Sequence, residues 1–396
     1  MHHPAITQID NPGPVALAAR WKTVFIAATG IGVLAFVLGV VTDPARAWHN
    51  YLIDYFMFLC FGLFGLFFTA VHHAVNAKWW IVARRVAEGF TAYLPLALIL
   101  FIGIVAGARD VYPWASGLVT GAPGKFTWLS LPWFAVRYVV ILAIWILLAR
   151  KLLSLSLKQD QTGDPWLSRK MINWSIITLP IFAGTFSLAC FDMLMSLQPK
   201  WYSTLFAVYG FAGLFQSGVA LLIIVFVLLK RQGALAQVAT PSHVKDLGTL
   251  LFAFTIFMTY IGFSQYMLIW YANIPEETIF YIHRQENGWE YLFIALPILK
   301  FAIPFLGLLS QAFKKSENWL VTICVVVILG QFVDIYWLVM PSLSDVIIPI
   351  GWMEVGVFLM FAGIFALSVS RFYSRHSVLA VNDPRILESV NWRFWE

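Results

Sequence analysis

The sequence predicts an all-α polytopic membrane protein of about ten transmembrane helices, and three observations predict it. Of its 396 residues 60% are hydrophobic and only 12% charged, with a mean hydropathy of +0.79. Apolar runs of roughly 20 residues, the length that crosses a bilayer, recur along the chain. Runs such as 143–148 and 221–229 are continuously apolar. They lack the alternation of a barrel strand, and lipid offers the backbone no other partner, so the spans are helices.

Taken in order, hydropathy places spans at 21–41, 52–75, 85–107, 131–150, 173–196, 202–229, 247–271, 289–311, 318–340 and 347–370. Residues 1–20 and 371–396 form polar ends. The opening Met1 to Ala19 lacks the basic start and short apolar core of a secretory signal, so the first span is expected to be retained. Pro95, Pro180, Pro297 and Pro304 fall inside spans, where neighbouring helices must satisfy the backbone groups they free. If the N-terminus is cytoplasmic, nineteen Lys and Arg lie in inside segments, Arg84 and Arg85 among them, against five outside. That positive-inside bias predicts both termini in the cytoplasm. The loop from Arg109 to Ser130 is expected to pack over helix ends or meet a partner. The tail from Arg371, with Trp392, Phe394 and Trp395, is expected to lie along the inner membrane surface or against a neighbour.

The net charge of +6 follows from loop placement and needs no nucleic acid. Cys60, Cys190 and Cys324 stand alone in three different spans, so the chain supplies neither a cluster nor a zinc site. His2, His3, His49, His243, His283 and His376 fall outside the spans or at their edges, which argues against a buried haem. No redox centre of the chain's own is expected.

The organising stretch is Ser187 to Tyr209. It puts Asp192 in the last turns of an apolar helix, breaks that helix at Gln198-Pro199-Lys200, and places Trp201 and Tyr202 where a membrane–water interface suits amphipathic rings. An ionisable group within a span marks a functional site by default. The plainer reading is a helix cap or a site for a cation at headgroup level. Asp54, Arg137 and Asp192 fall at one predicted depth near the outer ends of successive helices. They read either as lining for a polar headgroup or proton, or as a structural ion pair. Asp334 and Glu354 share another depth, with Lys300 near mid-membrane and Glu290 opening the eighth span. A Lys there needs a carboxylate or water, and such a chain of exchangeable groups is what a proton path requires. His72 and His73 close the second span, either feeding protons inward or simply interfacial. In 263–277, Gln265 and Tyr266 are hydrogen-bonding groups inside the seventh helix, and Trp270 and Tyr271 mark its edge.

Phe191-Asp192 to Leu197, Trp201-Tyr-Ser-Thr204, and Phe263-Ser-Gln-Tyr-Met-Leu-Ile-Trp-Tyr-Ala-Asn-Ile-Pro-Glu-Glu277 resemble the large membrane subunits of bacterial alternative complex III, a quinol:electron-acceptor oxidoreductase. The likeness is to the ActF-type subunit, related to the NrfD and polysulfide-reductase membrane anchors. It implies two four-helix bundles, spans two to five and six to nine, flanked by the first and last helices. Residues 21–196 would then hold the first helix and first bundle, 202–340 the second bundle, and 347–370 the last helix. It also implies a bacterial inner-membrane assembly with an NrfD-like sister subunit, an iron–sulfur subunit and c-type cytochrome subunits, which carry the clusters and haem c. By position and chemistry the proton-path candidates are Asp54, His72, His73, Arg137, Asp192, Lys300, Asp334 and Glu354; the family motif itself covers only Asp192 and the seventh-helix stretch. Asp192, Gln265 and Tyr266 are candidates to face a quinol such as menaquinol. Quinol oxidation itself is assigned in that family to the sister subunit. A secondary transporter and a passive membrane anchor are the competing readings.

Overall fold

The structure, a computed structural model, describes residues 6, 8–117 and 127–392. His2, His3, Lys125, Arg393, Phe394 and Trp395 lie outside the described residues. Among the described residues ten helices are long and apolar enough to cross a membrane, as the sequence predicts. They are α1 (Ala19–Thr42), α2 (Pro44–Ala74), α3 (Ile81–Ala106), α4 (Leu131–Thr162), α5 (Trp166–Leu197), α6 (Phe206–Arg231), α7 (Pro241–Ala272), α8 (Trp289–Leu309), α9 (Glu317–Ser342) and α10 (Trp352–Tyr373). A short linking helix, Pro275–Ile282, joins α7 to α8.

Two four-helix rings result. α2 packs on α3, α3 on α4, α4 on α5 and α5 back on α2; α6 packs on α7 and α9, which close on α8. The rings meet where α2 touches α6 and α9, so α2 is buried almost throughout. This explains why α2 carries aromatic bulk on every face: Phe58 meets α10 while Phe64 and Phe67 interlock with Phe215 of α6.

Helices α1 and α10 run together outside the rings. Lipid supplies no hydrophobic drive between helices, so such a pair relies on close backbone approach over small residues. A Cβ on Gly32 would fall 2.4 Å from the Met360 nitrogen, and one on Gly356 would fall 2.3 Å from the Ala35 Cβ.

Three expectations are corrected here. Helix α2 starts at Pro44 rather than 52, because Asp43 caps it, accepting from Arg46 N at 3.2 Å, and proline suits the first helical position. Asp54 therefore lies ten residues, about 15 Å, into the helix, deeper than Arg137 in α4. Arg84 and Arg85 are not loop residues: both lie in α3, wholly buried. The described part of the tail packs on the chain's own helix ends. Ser389 Oγ donates to Trp79 O at 3.1 Å, the Ser389 carbonyl pairs with His243 Nε2 at 2.9 Å, and Trp392 Nε1 donates to Asp246 Oδ2 at 3.1 Å. Val15 N donates to Tyr373 O at 2.8 Å, so both ends of the described chain gather at one end of the bundle. Of the loop after α3, Tyr112 and Trp114 cover the end of α5, donating to Met193 O at 3.1 Å and Ser196 Oγ at 3.0 Å.

Candidate functional site

The centre of the second ring is Lys300. Its Nζ donates to Asp334 Oδ2 at 2.5 Å and to Gln331 Oε1 at 2.7 Å, and Tyr209 OH donates to Asp334 Oδ1 at 2.5 Å. The pair joins α8 to α9, and Tyr209 adds α6. Local sequence explains how Lys300 is presented. It lies in a π-helical turn, Ile298–Ala302, bracketed by Pro297 and Pro304. Proline has no N–H, so Pro304 leaves the carbonyl four residues earlier, that of Lys300, without its helical donor. Gln216 Nε2 of α6 supplies one at 2.8 Å, and also donates to Thr255 Oγ1 of α7 at 3.1 Å. The break that aims the ammonium thus also pins α8 to α6.

A cavity of about 340 Å³ lies against this cluster. Tyr209, Met258, Gln265, Tyr266, Leu296, Lys300 and Trp337 line it, and Phe280 and Tyr281 of the linking helix close it. Phe263 and Ile294 also line it yet are 61% and 58% exposed on the outer surface, so it opens sideways between α7 and α8 into the lipid zone. The opening follows from the kinked α8, whose Ile298–Leu309 part packs on α7. An apolar cavity with a few convergent polar groups is the usual form of a small-molecule site.

The first ring holds a second ion pair. Asp192 Oδ2 accepts from Arg137 Nε at 2.9 Å, and its Oδ1 from Trp128 Nε1 at 3.0 Å. Arg137 also donates to Trp128 O at 3.2 Å and sits 4.1 Å over the Trp128 ring. Asp192 too lies in a π-helical turn, Cys190–Leu194, where Ser196 Oγ donates to its carbonyl at 2.5 Å. The partners of Asp192 are therefore protein groups, rather than an exposed headgroup-level cation.

Other expected members separate. Glu354 does not join Lys300 and Asp334. It opens α10, accepts from Gly351 N at 2.8 Å, and is bound by Arg46 Nε and Nη2, both at 2.8 Å, and by Asn50 Nδ2 at 2.9 Å. Its helix begins at Trp352 rather than 347, which puts the carboxylate at the rim beside the α2 start. Asp54 pairs with neither Arg137 nor Asp192: it is wholly buried, and neither oxygen has a hydrogen-bond partner among the described residues. His72 and His73 are buried within the protein at the end of α2. His72 Nδ1 meets Phe68 O at 2.8 Å, and His73, against the Trp80 ring, has no partner among the described residues. Among the described residues, Glu290 accepts from Gly288 N at 2.8 Å. Trp201 is buried, stacked 4.0 Å from Phe280 with Nε1 donating to Glu277 O at 3.0 Å, while Tyr202 stays exposed. Gln265 and Tyr266 reach the cavity; Asp192 does not line it.

The sequence reading missed Tyr209, Gln216 and Gln331, although amides inside apolar spans were a visible signal. It also missed a buried network at the end nearest the termini. Arg84 binds Glu88 at 2.9 Å and Asp383 of the tail at 2.7 Å, and Arg85 binds Glu88 at 2.8 Å and also Asp160. At the opposite end Arg284, wholly buried in the linker, donates to the carbonyls of Phe280, Trp337 and Leu338 at 2.9–3.2 Å and so caps α9. Beside it, burial pushes the phenol of Tyr281 up, which keeps it a neutral hydroxyl.

The fold and site define a polytopic helical membrane protein with buried ion pairs in both rings. Among the described residues no group of three or more His, Cys, Asp or Glu is placed to hold a metal. In comparison with known proteins, no family model matches the chain and no curated protein matches it.

Proposed function

We propose that this chain is an integral subunit of a respiratory or photosynthetic quinol:electron-acceptor oxidoreductase of the bacterial inner membrane, with both termini in the cytoplasm. It contributes a transmembrane proton path and a quinone-facing surface, while iron–sulfur clusters and c-type haems belong to its partner subunits. One observation carries the reading: a Lys300–Asp334 pair, joined by Tyr209, at the wall of a cavity open to lipid. Quinol oxidation couples a lipid-soluble ring to proton release, and needs exchangeable protons beside an apolar entry. The likeness of 191–204 and 263–277 to alternative complex III subunits points the same way.

The first ring favours a plainer part for itself. Arg137, Asp192 and Trp128 satisfy one another, as in a structural lock between α4 and α5. If Lys300 and Asp334 are such a lock too, the chain is a passive anchor. The test is purification from native membranes followed by turnover. Co-purified haem and iron–sulfur proteins, with proton-coupled quinol oxidation lowered at least tenfold by Asp334→Asn in an intact assembly, support the proposal. A chain that purifies alone overturns complex membership, and unchanged turnover and proton release overturn the proton path.

A further inference from the structure

A second cavity, of about 360 Å³, lies beyond the first, between the end of α7 and the linking helix. It sits at the end of the protein opposite the termini, and its walls include Asn273, Thr278 and Gln285, so its lining is more polar than that of the Lys300 cavity. Two residues line both spaces: Tyr266 and Tyr281. Their rings meet edge to face, 5.1 Å apart at 82°, and form the wall between them. Tyr281 is held there by Trp337 and Phe293. Both residues are half-buried, and among the described residues neither phenolic hydroxyl has a protein hydrogen-bond partner, which leaves both open to water. Two hydroxyls left open at a shared wall are placed to bond water on either side.

We propose that Tyr266 and Tyr281 form a hydrated partition through which the Lys300–Asp334 pair exchanges protons with the outer vestibule, at the end opposite the termini. This rests on the proton-path reading and deepens it by naming the exit. In each hop a hydroxyl oxygen takes a proton from the water on one side and gives its own to the water on the other, so no net charge stays on the phenol. The two hydroxyls relay the proton between the waters, and Lys300 and Asp334 hold the exchangeable proton. The aromatic wall admits water and small hydrated ions while keeping an apolar occupant of the inner cavity on the lipid side.

The test uses the full chain in sealed membrane vesicles of each orientation, with Cys60, Cys190 and Cys324 replaced by alanine and Met258→Cys placed in the inner cavity. The probe is silver ion, small and water-borne, and N-ethylmaleimide arriving through lipid confirms that the thiol is present and the chain folded. Silver is expected to reach position 258 at least tenfold faster from the vestibule side. Tyr266→Phe with Tyr281→Phe, which keeps the rings and removes the hydroxyls, is expected to slow it at least tenfold while leaving the maleimide rate alone. Equal or faster access from the terminal side, or an unchanged rate in the double phenylalanine variant, overturns the proposal. Neither outcome bears on whether haem and iron–sulfur partners co-purify, so the exit and the parent reading fail separately.

Discussion

Asp192 and Lys300 are presented by the same device: each sits in the π-helical turn of a broken helix, one per ring, and each meets its opposite charge on the neighbouring helix of that ring. A π turn inserts one residue into the helical repeat and re-aims the side chain, which is why such turns gather at functional sites. The two differ in surroundings. Arg137 and Trp128 enclose Asp192, whereas Lys300 faces a cavity.

Removing one partner of a buried pair strands the other charge. Lys300→Met is expected to cost about 3–5 kcal/mol, and Lys300→Met with Asp334→Leu to recover most of it. Thermal unfolding in detergent measures both. A double variant no more stable than the single would show that the pair itself, rather than the stranded charge, holds α8 to α9.

The Pro304–Gln216 relation is testable as a cycle. Gln216→Leu leaves the Lys300 carbonyl without its donor and is expected to cost about 1–3 kcal/mol. Pro304→Ala restores the helical N–H, so the Gln216→Leu loss is expected to shrink in that background. Additive losses would sink the account.

Two glycines of α1 provide a matched pair. Gly32→Ala is expected to destabilise by about 1–3 kcal/mol, because its new Cβ meets the α10 backbone. Gly30→Ala meets nothing within 4 Å and is expected to be neutral or to gain up to about 1 kcal/mol. Thermal midpoints of the two variants separate close helix packing from helix propensity.

At the end nearest the termini, Asp383→Ala removes one of the two carboxylates that hold the wholly buried Arg84, leaving Glu88, and is expected to cost about 1–3 kcal/mol. Glu388→Ala breaks the half-exposed contact with Lys78 and is expected to cost under about 1 kcal/mol. Proteolysis of the tail reports the same order: faster cleavage in the Asp383 variant, little change in the other.

Much of this was legible before any coordinates. The spans, their helical nature and the intramembrane charges follow from hydropathy and from the cost of leaving backbone groups unpaired in lipid. Pairing was legible only in part. Lys300 pointed to a carboxylate, but equal depth suggested both Asp334 and Glu354, and helix starts shifted by several residues sent Glu354 to Arg46 instead. The same error put Asp54 level with Arg137. Asp43-Pro44 marked the earlier start of α2, but the polar stretch behind it hid the signal from a hydropathy scan. Arg84 and Arg85 read as loop charges because their partners Glu88, Asp160 and Asp383 come from three separate segments.

By itself the sequence determined that the chain lies in a bilayer as about ten helices, since hydropathy is a local sum and needs no knowledge of neighbours. Which acid meets which base, which span lies at the centre, and where a cavity opens were decided by tertiary structure. Those depend on how helices pack and on where a proline or a π turn shifts their register, and one residue of shift turns a side chain about 100° around its helix.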